Sequence, residues 1–304
     1  MKQFLAIFVI LLFSRSTFLV GQSPYVIAYF AGNTSRLDSF EVEKLSHIIF
    51  SFGHLKGNEL HIDNNGDSAT IKKMVSLKKR NPKLKVLLSL GGWGGCKMCS
   101  DVFSTEEGRK SFAESVKSLS QYFKTDGIDL DWEYPTIQGY PGHQFGAEDK
   151  NNFTELIKQL RATLGNDQII SFAAGGFNTY LREAVDWNAI MPIVDMVNLM
   201  SYDLVHGGST VTGHHTPLYS TPQQVESIDN AIRFFDSAHV PLSKIIVGAA
   251  FYGRVWQNVE NENNGLYQSG KFLRSANYKD ILSNYLRDKD YESFRDPIAK
   301  APYL

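Results

Sequence analysis

The sequence predicts an α/β chain folded as a (β/α)8 TIM barrel, with seven of the eight βα units visible and a small α+β insertion after the seventh strand. Three observations carry this. Seven short β-rich runs alternate with helix-forming segments between residues 25 and 253. Most runs are apolar on both faces, as parallel strands covered by helices must be. No Gly-x-Gly-x-x-Gly follows the first run, so a dinucleotide-binding sheet has no support. Seven strands also suit an open sheet, but the count and regular alternation favour the barrel.

The elements follow in order. A strand at residues 25–30 precedes a polar loop and a short helical stretch near 40–45. The second strand is 46–52, followed by a loop or small hairpin with Asn64, Asn65 and Gly66, then a helix near 69–80. The third strand, 85–90, is closed by Gly91 and Gly92, and a helix spans 105–123. The fourth strand begins near Asp126, with a helix at 149–164 behind it. The fifth strand, 169–174, ends in Gly175 and Gly176, and a helical turn covers 180–190. The sixth strand is 194–202. A long loop with His206, His214 and His215 leads to a helix near 222–238 and the seventh strand, 244–250. Residues 254–304 are more polar, with one helix expected near 277–286. No eighth apolar strand appears before Leu304, so a fragment or a truncated product is expected.

The fourth strand, DGIDLDWEYP, is the chemically informative one. Asp129, Asp131 and Glu133 alternate with Leu130 and Trp132. Period-two alternation puts the three acids on one face, roughly 6.6 Å apart per step. Pro135 cannot continue a ladder, so the strand is expected to end just past Glu133, leaving Glu133 at its carboxyl end. Asp126 is out of parity and is expected to hold the strand's start beside Gly127. These ten residues alone also admit a solvated face. Three aligned like charges with no interleaved base are costly on a surface, but sensible where some are protonated and tune the last. A barrel gathers strand carboxyl ends on its active face, which favours the functional reading.

Composition narrows the partners. Lys plus Arg total 31 and Asp plus Glu 32, for a net charge of −1. Such balance gives no electrostatic case for nucleic acid or anionic membrane and suits a neutral, hydrogen-bonding substrate. Residues 1–22 read as a secretory signal peptide: Lys2, an apolar run from Phe4 to Phe13, then small and polar residues. The run is too short to span a bilayer, so a secreted product with no membrane association after cleavage is expected. The only cysteines are Cys96 and Cys99. A local disulfide leads in an oxidising compartment; a redox pair or two reduced thiols are the other readings. A cysteine zinc site lacks ligands, and His214 and His215 lack a carboxylate at metal-binding spacing. Asn33 and Asn152 begin glycosylation sequons.

The motifs resemble glycoside hydrolase family 18, the chitinases and their relatives. DGIDLDWEYP matches the family's DxxDxDxE signature. SLGGWGG (residues 89–95) resembles its third-strand SxGG motif, MSYD (200–203) its sixth-strand MxYD motif, and YGR (252–254) its seventh-strand end. The resemblance covers residues 25–304. It departs at the carboxyl end, where the tryptophan of the family's eighth strand has no counterpart.

The resemblance implies a barrel at 23–253, the start of an α+β insertion at 254–304, and retaining, substrate-assisted hydrolysis of β-1,4-linked N-acetylglucosamine. Glu133 would be the general acid, Asp131 would hold the substrate acetamide, and Asp129 would share a proton or charge with Asp131. Tyr202 would donate to the acetamide oxygen. Asp203 would bind sugar, and Trp93 would stack on the leaving-group side. Tyr29, Met200, Tyr252 and Arg254 are further candidates for lining the site, with core packing or a local salt bridge as the alternative for each. Asp126, Gly91 and Gly92 are read as structural. No cofactor or metal is implied. The partners implied are chitin or N-acetylglucosamine oligosaccharides, and a monomer is expected. A non-catalytic binding protein and an endo-β-N-acetylglucosaminidase acting on N-glycans are the competing functions.

Overall fold

One device organises the amino-terminal ends of two strands. The computed structural model describes residues 24–304; the expected leader, residues 1–22, lies outside them. Asp126 accepts a hydrogen bond from Val86 N at 2.7 Å and pairs with Lys78 at 2.6 Å. Asp195 accepts from Ile170 N at 2.8 Å and pairs with Arg161 at 2.7 Å. In each case an acid just before one strand caps the neighbouring strand, and a cation on a flanking segment neutralises it. Asp126 thus ties the start of its strand to Val86 on the neighbouring one, and is remote from the opposite, carboxyl-terminal face.

The chain begins with β1 (Ile27–Phe30), β2 (His47–Lys56) and β3 (Glu59–His61). β2 runs past its expected end because Gly57 turns it into an antiparallel hairpin with β3. Next are α1 (Asn65–Ser76), β4 (Lys85–Gly91), α2 (Cys99–Phe103), α3 (Glu106–Phe123) and β5 (Gly127–Asp131). α1 starts earlier than expected, since the Asn64 side chain caps Asp67 N at 3.0 Å. α4 (Asp149–Leu164) has the expected bounds, and β6 (Ile169–Gly175) follows. The expected helical turn divides into a wide turn, Tyr180–Ala184, and α5 (Trp187–Ile190).

β7 (Met196–Met200) is shorter than expected, and α6 (Ile228–Ser237) starts late. Ser227 caps α6, while Gln224 spends its side chain on His214 N and O, which holds the preceding residues out of the helix. β8 (Ile245–Val247) is followed by an antiparallel pair, β9 (Tyr252–Gln257) and β10 (Lys271–Asn277), then α7 (Tyr278–Asn284), β11 (Phe294–Arg295) and β12 (Pro302–Tyr303).

The main sheet runs β1-β2-β4-β5-β6-β7-β8 with every pair parallel, and β3 hangs off β2. This is the barrel with seven of its strands among the described residues; β1 and β8 are its two edges. Alternate side chains separate two layers. Ile128, Leu130 and Trp132 face outward and are buried under the helices, with Trp132 against Phe103 and Phe153. Each such burial contributes about 1.5–3 kcal/mol. Facing inward, Ile49, Leu87 and Met196 pack with Ile27, Ile169 and Ile246 as an apolar plug. Polar groups begin just above it.

Candidate active site

The row of acids starts at the centre of the barrel. Ser89 on β4 and Ser171 on β6 sit opposite Asp129 in the ladder. Both donate to it, at 2.9 Å and 2.6 Å. Tyr29 Oη donates at 3.0 Å and Asn198 Nδ2 at 3.0 Å. Each carboxylate oxygen thus receives two donors, and Asp129 is wholly buried. Burial pushes its pKa up, while the four donors pull the other way. The four donors favour the charged form of Asp129 against the cost of its burial.

Asp131 lies one step along the same face, 6 % exposed. Among the described residues its Oδ1 has no hydrogen-bond partner. Burial, then the charges of Glu133 and Asp129, push its pKa well above the ordinary value. An orphaned buried acceptor is costly, and a donor arriving on a ligand would satisfy it.

Glu133 departs from the expected geometry. The ladder ends at Asp131, not past Glu133. The neighbouring strand turns away there: Gly91 has φ of 109°, and Gly92 N bonds Asp131 O at 2.9 Å. Glu133 therefore begins a loop at the carboxyl end of β5. It is 9 % exposed. Burial, with help from the charge of Asp203, pushes its pKa up to about 7 against a pull from the Tyr134 hydroxyl. A carboxyl group with that pKa is half protonated near neutrality, which suits a general acid.

Tyr202 and Asp203 follow the end of β7. Burial and the charges of Asp131, Glu133, Asp203 and Asp129 all raise the Tyr202 pKa, which sets its hydroxyl among the acids as a donor. Asp203 takes Tyr252 Oη at 2.7 Å and Arg254 Nε at 2.9 Å. Burial opposes its charge, but His215, Arg254 and Tyr252 outweigh that and bring its pKa down to about 2. Tyr252 and Arg254 thus serve Asp203 directly. Met200 shares the inward face of Asn198 at the end of β7. Trp93 is 59 % exposed, its ring 5.5 Å from that of Tyr140, so it is free to meet a ligand.

Cys96 and Cys99 are joined by a disulfide in the turn after Trp93. Gly91 packs on the Asp131 carbonyl so closely that a Cβ there would overlap it. The histidines of the long loop have other partners: His214 Nε2 lies 3.0 Å from Asp296, and His215 Nε2 lies 3.0 Å from Tyr252 O. Among the described residues there is no cluster of three or more potential metal ligands. Asn33 is exposed, whereas Asn152 is buried in α4.

Sequence reasoning did not single out Ser89, Ser171 or Asn198. A signal was present: each is a lone polar residue in an otherwise apolar strand run, at the parity that faces Asp129.

Fold and site together define a barrel with a nearly buried carboxyl group, its pKa raised by burial, where the strand ends converge. The family model described as "Glycosyl hydrolases family 18" matches residues 25–304, and the chain belongs to that family. It is 31 % identical over 261 residues to chitinase A1 of Niallia circulans, spanning 78 % of this chain and 37 % of that one. It is 32 % identical over 235 residues to chitotriosidase-1 of Mus musculus, spanning 73 % of this chain and 50 % of that one. The chain thus matches between about a third and half the length of these relatives. Among solved structures, a glycoside hydrolase family 18 N-acetylglucosaminidase from Paenibacillus barengoltzii superimposes with a TM-score of 0.82 at 35 % identity, covering 92 % of this chain and 84 % of that one.

Proposed function

We propose that this chain is a chitinase-type glycosidase that hydrolyses β-1,4-linked N-acetylglucosamine chains with retention, using the substrate's own acetamido group. The observation that carries the reading is Glu133, a nearly buried carboxyl group with its pKa raised to about 7 at the mouth of the barrel. In the first step Glu133 gives its proton to the glycosidic oxygen while the acetamido carbonyl oxygen attacks C1. The bond to the leaving sugar breaks and an oxazolinium ion forms. Water then attacks C1, Glu133 takes the water's proton, and the acetamide is released with its original configuration at C1.

Each other residue has a matching task. Asp131, with its unpartnered oxygen, accepts the acetamide N–H and offsets the positive charge of the oxazolinium ion. Asp129, held by four donors, supplies fixed negative charge behind it, which favours a proton on its neighbours. Tyr202 donates to the acetamide oxygen and fixes the line of attack. Asp203 stays ionised beside Arg254, raises the Glu133 pKa, and binds sugar with the oxygen valence left to it. Trp93 offers an apolar ring to a sugar face, and Met200 lines the site.

Relatives named as chitinases and as an N-acetylglucosaminidase support the substrate class. The apolar run at residues 4–13 supports export with removal of residues 1–22, which amino-terminal sequencing of the mature product would test. The activity itself is tested by incubating the purified chain with chitin oligosaccharides, with Glu133→Gln in parallel. Cleavage by the unaltered chain alone is expected; binding without cleavage would make it a carbohydrate-binding protein.

A further inference from the structure

The loop after Glu133, residues 134–148, is fastened by a carboxyl group that lies outside the row of acids. Asp149 opens α4 and is 2 % exposed. Its Oδ2 accepts from Gly146 N at 2.9 Å and lies 3.5 Å from Thr136 N, near the two ends of the loop. Ser100 Oγ donates to the same group, 2.8 Å from Oδ1. Ser100 belongs to α2, directly after the Cys96–Cys99 bridge. Asp149 thus gathers segments that are separate in sequence onto one buried acceptor.

The loop it fastens is not relaxed. Thr136 has φ of 69°, a left-handed conformation that a β-branched residue adopts only where its surroundings impose it. Asp149 stands on the N–H side of Thr136, and on the other side Thr136 Oγ1 donates to Ala184 O at 3.1 Å. Between the anchors at 136 and 146, Gly139 packs on the Glu133 carbonyl and on Tyr134 N so tightly that a Cβ would overlap both. The anchored loop therefore presses on the residue that carries the proton.

Glu133 is nearly buried, and burial is the largest cause of its raised pKa. Asp131 faces it from β5, Tyr202 and Asp203 from the end of β7, Tyr180 from the turn after β6, and Tyr134 stands beside it. Asp149 bonds none of these groups; its partners are Ser100, Gly146 and Thr136. Its route to Glu133 is the loop.

We propose that Asp149 is a positioning residue for the acid: it holds the 134–148 loop against Glu133, so that the carboxyl group stays in place and out of water. The role is one of acceptor geometry. An asparagine with Oδ1 in the place of Oδ2 still accepts from Gly146 N, and its Nδ2 can donate to Ser100 Oγ, since a hydroxyl accepts as well as donates. The consequence for catalysis rests on the glycosidase reading above; the holding of Glu133 does not.

Two measurements on the full chain test this. In the first, the pH dependence of nitrophenyl chitobioside hydrolysis is compared among variants. Asp149→Ala is expected to lower kcat about tenfold, with KM changed less than about threefold. The alkaline limb of kcat/KM, set by Glu133 at about 7, should move down by about one pH unit as water reaches the carboxyl group. Asp149→Asn should recover most of both losses. A limb that stays in place, or an asparagine no better than alanine, overturns the proposal. Asp149→Ser, too short to reach Gly146 N, takes the place of alanine if that variant does not fold.

The second measurement needs no activity. Glu133→Gln removes the cost of a raised pKa, so the stability it gains at pH 8 reports how well the group is buried. In the Asp149→Ala background that gain should be about two fifths smaller than in the unaltered chain, one pH unit out of roughly two and a half. An equal gain in both backgrounds overturns the positioning role even where the chain cleaves. A smaller gain in a chain that does not cleave sinks hydrolysis alone.

Discussion

Asn198 on β7 donates through Nδ2 to Asp129 on β5 at 3.0 Å, spanning β6, which lies between their strands. The bond joins the strand that ends at Asp131 to the strand that leads to Tyr202. It also fixes which way the amide faces: its Oδ1 has no partner among the described residues, so Asn198 is held by donation alone. Asn198→Asp keeps the shape and puts a second carboxylate against a buried one. A cost of about 3 kcal/mol at pH 7 is expected, seen as a lower midpoint in urea. The cost should shrink as the pH falls toward 5, because one proton shared by the pair removes the repulsion. A midpoint that does not depend on pH would show that the Asp129 cage tolerates the extra charge.

Glu133→Gln should raise stability while it removes the proposed acid. The folded pKa near 7 lies above the ordinary 4.5, so the native state holds a proton that the unfolded chain releases. Glu133 is thus least costly to the fold below about pH 4.5, and progressively more so as the pH rises to 7. At pH 8 the variant should exceed the unaltered chain by about 3 kcal/mol, from roughly two and a half pH units at 1.36 kcal/mol each. At pH 4.5 the two should nearly coincide. Thermal melts across that range check both ends.

Asp203 has the opposite sign. Its folded pKa of about 2 lies below the ordinary 3.8, so its contribution is present above pH 3.8 and is lost as the pH falls through 2. Asp203→Asn should therefore melt below the unaltered chain at pH 6 and converge with it near pH 2. Convergence at pH 4 or above would mean that Arg254 and Tyr252 hold the carboxylate less firmly than their distances imply.

The Cys96–Cys99 bridge closes a short loop in the turn that carries Trp93. In the chain-entropy account a loop this small adds only about 2 kcal/mol. Cys96→Ala with Cys99→Ala should lower the melting temperature by a few degrees and weaken oligosaccharide binding through the freed Trp93 turn. Unchanged binding would separate the bridge from the site.

How far the sequence could be read depended on whether the cause was local. The alternation of Asp129, Leu130, Asp131 and Trp132 fixed the strand and its inward face, and the bounds of α4 followed from its amphipathic pattern. The end of β5 was misplaced by two residues, because it depends on where the adjacent strand turns at Gly91 rather than on Pro135. The late start of α6 depends on the Gln224 side chain bonding His214, ten residues away in sequence. Within the site, the acids and Tyr202 were legible as a motif. Tyr29 was a candidate for lining the site, but its partners around Asp129, Ser89, Ser171 and Asn198, were not legible, since four separate strands supply the cage and only the barrel brings them to one carboxylate. Tyr252 and Arg254 were read as lining the site or else packing or pairing locally; Tyr252 Oη and Arg254 Nε both bond Asp203.

The central claim is that Glu133 delivers a proton to a glycosidic bond. Mass spectrometry of chitohexaose incubated with the purified chain, with Glu133→Gln alongside, tests it most directly. Shorter oligomers from the unaltered chain, none from the variant, and turnover that falls as the pH rises through about 7 are predicted. Equal product from both proteins would contradict the assignment of Glu133 as the acid.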